Sequence, residues 1–296
     1  MSASRTLAAE APARRLPQPF ARLVGLGRRS PTLLAGATII LCLGLLALFG
    51  RFLAPFDPVA AMASQVLTPP GGPFLFGTDN NGMDVFSRVL AGTGWAFGIA
   101  IPAVLIGLLA GVPVGLLAGY RGGWLDEVLM RIFDMLRVFP SIILALAVVA
   151  AAGPSFFNVV LVIGLLDAPL FARVVRAEVI VLRSSTFVEA AVAMGNPTWR
   201  ILLVHLLPNA LKGATAQTAV RAAWAVRISA TLAFLGVGIQ PPTPEWGAMI
   251  RQGTEVLVTG QWWVGVFPGL ALILMVLGLN MLGDGAQELL DPRKPG

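Results

Sequence analysis

The sequence predicts an all-α membrane protein of six spanning helices with both termini in the cytoplasm. Three observations carry this. Apolar residues make up 56% of the 296 and charged ones only 12%, about half the charged share of an ordinary soluble domain. Six apolar runs reach the roughly 20 residues that a hydrocarbon core of about 30 Å requires. The basic residues gather on one side of those runs, as the positive-inside bias demands.

The elements follow in order. Six arginines precede the first run (Arg5, Arg14, Arg15, Arg22, Arg28 and Arg29), marking residues 1–30 as a basic cytoplasmic tail. The first run, 33–54, is too long for a signal-peptide core and lacks a clear small-residue cleavage site after it, so it reads as an anchor. The second, 90–119, is Gly-rich and contains Pro102 and Pro113. The third covers 133–152 and the fourth 156–176, joined by a turn without charge. The fifth covers 213–238 and the sixth 262–283. On the inner side, this order places Arg121, Arg131, Arg173, Arg176, Arg183, Arg200, Lys212, Arg293 and Lys294. Only Arg51, Arg88 and Arg251 fall outside. In the outer segment 239–261, residues Trp246, Met249, Ile250, Gly253 and Leu257 keep helical spacing after Pro244 and predict a short interfacial helix. Trp262 and Trp263 suit the aromatic belt.

Composition also excludes chemistry. The net charge of +6 could suggest nucleic acid, but the positive residues sit at membrane flanks. One cysteine, Cys42, and one histidine, His205, support neither a disulfide framework nor a zinc or iron site. The sequence contains no phosphate-cradling GxxxxGK[ST] loop and no Ser/His/Asp or Cys/His set around the one histidine. The chain is therefore expected to be no enzyme and to hold no cofactor.

The stretch 186–209, TFVEAAVAMGNPTWRILLVHLLPN, has two helix starts written into one connection. Thr186 and Glu189 have capping-box spacing. Gly195 breaks the first helix, Asn196 is placed to cap the second with Pro197 at its first position, and Pro208 stops it at about Leu207. Two short helices at a membrane face suggest a docking surface for another protein.

The same stretch resembles the signature loop of permease subunits of ABC importers, in Glu189-Ala190-Ala191, Gly195 and Leu207-Pro208. The ending His205-x-Leu207-Pro208-Asn209 resembles the dipeptide/oligopeptide/nickel branch. GTDNNGMDVFSR at 77–88 is similar to that branch's GTD-x-x-GRDVxSR, with Met83 where the branch has Arg. Residues 120–141, 234–250 and 262–293 add further matches, so the resemblance covers about 31–293. The order of motifs looks like the "C-type" permease. The resemblance implies the ABC type I importer permease fold in a bacterial or archaeal plasma membrane. It implies a coupling loop at about 183–209, with Glu189, Ala190, Ala191, Gly195, Leu207 and Pro208 at the ATPase contact. It also implies partners: a second, "B-type" permease, two cytoplasmic ATPase subunits that bind ATP and Mg²⁺, and an extracytoplasmic substrate-binding protein. Di- or oligopeptides are the expected substrates, with nickel or a metal chelate as the alternative. A stand-alone secondary transporter fits less well, since it predicts inverted repeats and no docking loop.

Glu189 and Gly195 also have structural reasons to stand where they do, as a first-turn acid and a helix stop. Asp79 and Asp84 read as turn and cap residues. The resemblance does not predict Arg221 and Arg227. With Asp167 they put ionisable groups in or near the fourth and fifth runs, where such groups face protein or water. They are the pathway candidates, one arginine drawing in a substrate carboxylate with Asp167 as its resting partner. About 120° apart around a helix, the two arginines cannot both face one pathway.

Overall fold

The computed structural model describes residues 30–290. The basic tail predicted for 1–30 lies, but for Ser30, outside the described residues, as do Asp291 to Arg293. Among the described residues the fold is all-helical, with two isolated bridges and no strand. The helices are α1 (Pro31–Leu53), α2 (Val85–Arg121), α3 (Gly123–Val138), α4 (Ser141–Ala152), α5 (Phe156–Leu182), α6 (Thr186–Ala193), α7 (Thr198–Arg200), α8 (Leu207–Phe234), α9 (Trp246–Leu257) and α10 (Trp263–Leu290).

Small residues bring the helices together. The largest interface joins α2 and α5. Gly107, Gly111, Gly115 and Gly119 form one row on α2, four residues apart, against Gly164, Ala168, Ala172 and Arg176 on α5. A Cβ on Gly111 would stand 2.3 Å from the Ala168 carbonyl oxygen, and one on Gly115 would stand 2.3 Å from that of Ala172. Backbones approach this closely because lipid supplies no hydrophobic drive between helices, and packing must replace it. The pair α1–α10 uses the same device at Gly36 and Gly278.

Four helices are both long and apolar enough to cross a membrane: α1, α2, α5 and α10. The third run departs from the straight helix expected at 133–152. It breaks at Phe139-Pro140 into α3 and α4, bent by 85°, and the pair could form one further span. Proline removes an N–H and pushes the residue before it into extended backbone, and Phe139 has φ −88°, ψ 143°. Two ion pairs tie α3 to α5: Arg173 with Asp134, and Arg176 bidentate on Asp126 at 2.5 and 2.6 Å. The fifth run lies in α8, which is long enough but less apolar, because Lys212, Gln217, Arg221 and Arg227 interrupt it.

The segment between α1 and α2 folds against the connection between α8 and α9. Asp79 accepts from the Asn81 and Met83 N–H groups at 2.8 and 2.9 Å, and Asp84 caps α2 through Ser87 N–H at 2.8 Å. Arg88, 2% exposed, donates to the carbonyls of Pro58 at 2.8 Å and Pro242 at 3.1 Å and faces Asp79 at 3.5 Å. Met83 lies buried with its sulfur on the same guanidinium. The short helix expected after Pro244 is α9, buried through Trp246, Met249 and Gly253.

Glu245 caps α9 by accepting from Ala248 N–H at 2.9 Å, and burial pushes its carboxyl up from 4.5 to about 7. The folded chain then keeps a proton that the unfolded chain releases, so stability falls as pH rises from 4.5 through about 7. The melting temperature of the purified protein is expected to drop across that window. In Glu245→Gln, whose amide oxygen can still accept from Ala248, the drop is expected to disappear.

Candidate functional site

The candidate residues form two groups. The first is the connection between α5 and α8. Its helix–turn–helix outline holds, with different caps. Ser185, not Thr186, is the N-cap of α6, and it makes no side-chain capping bond. Its hydroxyl instead donates to the Leu182 carbonyl at 2.5 Å, which removes the capping box expected between Thr186 and Glu189. Asn196 closes the helix before it rather than opening the one after: its side chain and backbone N–H both donate to Ala191 O, at 2.9 and 3.1 Å. Pro197 is the cap residue of α7, in extended backbone.

Pro208 does not end a helix. It sits in the first turn of α8, and residues Ile201–Leu206 form a π turn that joins α7 to α8 without interruption. The Leu207 N–H reaches back five residues to Leu202 O. A π turn is one way to fit an interrupted hydrogen-bond ladder into a continuous helix.

Gly195 has φ +75°, and a Cβ there would meet nothing within 4 Å. Its requirement is therefore conformational, since L residues with side chains avoid that region. Val188, Ala191, Ile201 and Leu206 are buried against the ends of α2 and α5. The opposite face is open. Glu189, Ala190, Gly195 and Pro208 are exposed, Leu207 is partly buried and Ala191 is buried. Beside them Met194 is 75% exposed and Trp199 62%, a large apolar offering for a surface loop.

The second group lies on α5 and α8. Asp167, 2% exposed, forms an ion pair with Arg221, whose guanidinium also lies 4.5 Å from the centroid of the Trp224 ring. Arg227 points elsewhere, exposed on another face of α8. The structure thus joins two of the three charged candidates and separates the third. Sequence reading did not anticipate the Trp224 contact, although an aromatic three residues from a cation on one helix is a legible signal. Among the described residues no group of three His, Cys, Asp or Glu side chains gathers as a metal set.

Comparison with known proteins places this geometry. The profile of the binding-protein-dependent transport system inner membrane component family matches residues 111–295. The chain is 38% identical to the probable D,D-dipeptide transport system permease protein DdpC of Escherichia coli (strain K12), over 93% of this chain and 92% of that one. It is 39% identical to the glutathione transport system permease protein GsiD of Pectobacterium atrosepticum, over 90% and 88% of the two chains. The dipeptide transport system permease protein DppC of Alkalihalophilus pseudofirmus is 38% identical, over 90% and 87%. Among solved structures, a chain of the MetNI methionine ABC transporter in inward-facing conformations matches with a TM-score of 0.55 at 22% identity, over 67% of this chain and 93% of that one. At that identity the match speaks for the fold alone. The helical fold, its apolar spans and the similarity over nine-tenths of the sequence agree: this chain belongs to the binding-protein-dependent transport system inner membrane component family and is a multi-pass permease subunit, not an enzyme.

Proposed function

We propose that this chain is one of two permeases in an ATP-driven importer of di- and oligopeptides, supplying half of the translocation pathway. The observation that carries the peptide reading is the 38–39% identity, over at least 90% of this chain, to relatives named for dipeptide and glutathione transport. Six spans with both ends in the cytoplasm suit the charge bias, with α3–α4 as the third span and α8 as the fifth. The permease domain then runs over 31–293, behind a cytoplasmic tail of residues 1–30. The partners are a second, B-type permease, two cytoplasmic ATPase subunits holding ATP and Mg²⁺, and an extracytoplasmic binding protein.

The face of the α5–α8 connection is the coupling element that seats in an ATPase. Glu189, Ala190, Gly195 and Pro208 lie on or beside its open side, while Ala191 and Leu207 anchor it to the bundle. Gly195→Asp tests this well. Aspartate tolerates positive φ better than most residues, and no atom lies within 4 Å of the new Cβ, so the cost is confined to backbone strain while a charge enters the open face. The variant is expected to lose no more than about 1–2 kcal/mol of stability from the positive φ, to lose co-purification with the ATPases by about tenfold or more, and to lose dipeptide uptake in proteoliposomes. Retained co-purification would overturn the coupling assignment. Uptake of nickel, and not of dipeptide, by the wild-type complex would replace the peptide reading.

A further inference from the structure

Of the three charged pathway candidates on α5 and α8, two neutralise each other. Asp167 and Arg221 are paired, with Trp224 against the guanidinium. Among the described residues Arg227 has no ion pair, and its side chain makes no hydrogen bond. Only its backbone carbonyl is used, by the Thr231 hydroxyl at 2.8 Å. The side chain borders a cleft of about 310 Å³ lined by Thr231, Phe234, Gly247, Ile250 and Leu272. The cleft lining holds no carboxylate, and the two on or beside α9 are engaged: Glu245 caps that helix, and Glu255 faces Arg251 at 3.6 Å.

Arg227 lies seven residues before the end of α8 at Phe234, about 10 Å along the helix axis. With α8 as the fifth span, acyl chains are a poor environment for a guanidinium at that depth, since the cost of its charge rises towards roughly 2.5–3.5 kcal/mol at the helix centre on insertion scales. The guanidinium faces water or protein. One uncompensated positive charge between apolar walls is an anion site, and a guanidinium binds carboxylates in a planar fork.

We infer that Arg227 binds the terminal carboxylate of the transported peptide as it passes between the two permeases. This rests on the peptide-import reading above. The terminal carboxylate is common to every unmodified short peptide, whereas side chains vary. A single charged contact with otherwise unspecific walls suits a pathway that must release what it holds.

The test uses the full complex, with its binding protein, in proteoliposomes and follows labelled dialanine. Arg227→Met and Arg227→Lys are compared with wild type at equal, co-purification-verified assembly. Arg227→Met is expected to raise KM for binding-protein-delivered dialanine or lower its uptake by about tenfold, and Arg227→Lys is expected to restore most of that loss. The loss is expected to be equal in phosphatidylcholine vesicles and in vesicles containing anionic lipid. Unchanged uptake in Arg227→Met, equal losses in both variants, or lost assembly in Arg227→Met would each overturn the assignment. A loss confined to anionic vesicles would assign Arg227 to a lipid headgroup and overturn it likewise. A wild-type complex that imports no dipeptide would defeat the import reading first and this inference with it.

Discussion

Asp167→Ala is expected to destabilise the folded chain by about 3–5 kcal/mol, the typical result of removing one partner from a buried ion pair. Asp167 is 2% exposed and lies eleven residues into α5, far from either end of a helix that qualifies as a span. Without it, the Arg221 guanidinium is left with only the Trp224 ring. Exchanging both partners for apolar side chains, Asp167→Val with Arg221→Met, is expected to recover most of the loss, since well-packed apolar residues often match a buried pair in stability. Denaturation in detergent of the two singles and the double gives the coupling energy. Additive losses would show that the two residues act separately and would refute the pairing. The double variant also separates structure from transport. If the pair only locks α5 to α8, uptake returns with stability.

The second large effect is expected at the α2–α5 seam. Gly111→Val and Gly115→Val each force a side chain into a position where even the Cβ would stand 2.3 Å from a carbonyl oxygen. The obstacle is backbone, which cannot swing aside as a flexible side chain would. A loss of roughly 3 kcal/mol, the upper end of the usual overpacking range, is expected, read as a lower denaturation midpoint and poor yield of folded protein. Gly44→Ala is the control. It is helical too, but its Cβ would meet nothing within 4 Å, so it should be neutral or gain up to about 1 kcal/mol from helix propensity. Equal behaviour of Gly111→Val and Gly44→Ala would refute the close-packed seam.

The apolar run lengths displayed the four long apolar helices α1, α2, α5 and α10. The sequence displayed the glycines of the seam too, four apart from 107 to 119, but their partner was not visible. Spacing reveals that a helix has a smooth face, not which helix meets it. Pro140 correctly marks a break, yet a run of apolar residues on both sides concealed it inside one expected span. The α5–α8 connection was misread in its details for one physical reason. Thr186, Asn196 and Pro208 each have a side chain or ring that suits more than one helix position. Ser185 and Pro197 occupy the cap positions, Asn196 turned back to Ala191, and the π turn absorbed Pro208. The charged residues were legible individually. The assignment of Asp167 to Arg221 rather than Arg227 depends on how α8 is rotated, which no pattern in α8 alone specifies.

That rotation has a local origin. In an α-helix each residue advances about 100° around the axis, and the π turn at Ile201–Leu206 spaces its bonds one residue wider. Everything beyond it on α8 is therefore set at an angle different from the one a plain α-helix begun at Thr198 would give. For this helix, losing one residue in that turn would act as a dial rather than as a shortening. It would swing Arg221 off Asp167 and re-aim Arg227, so a change in the α5–α8 connection alters which charges the far half of α8 presents.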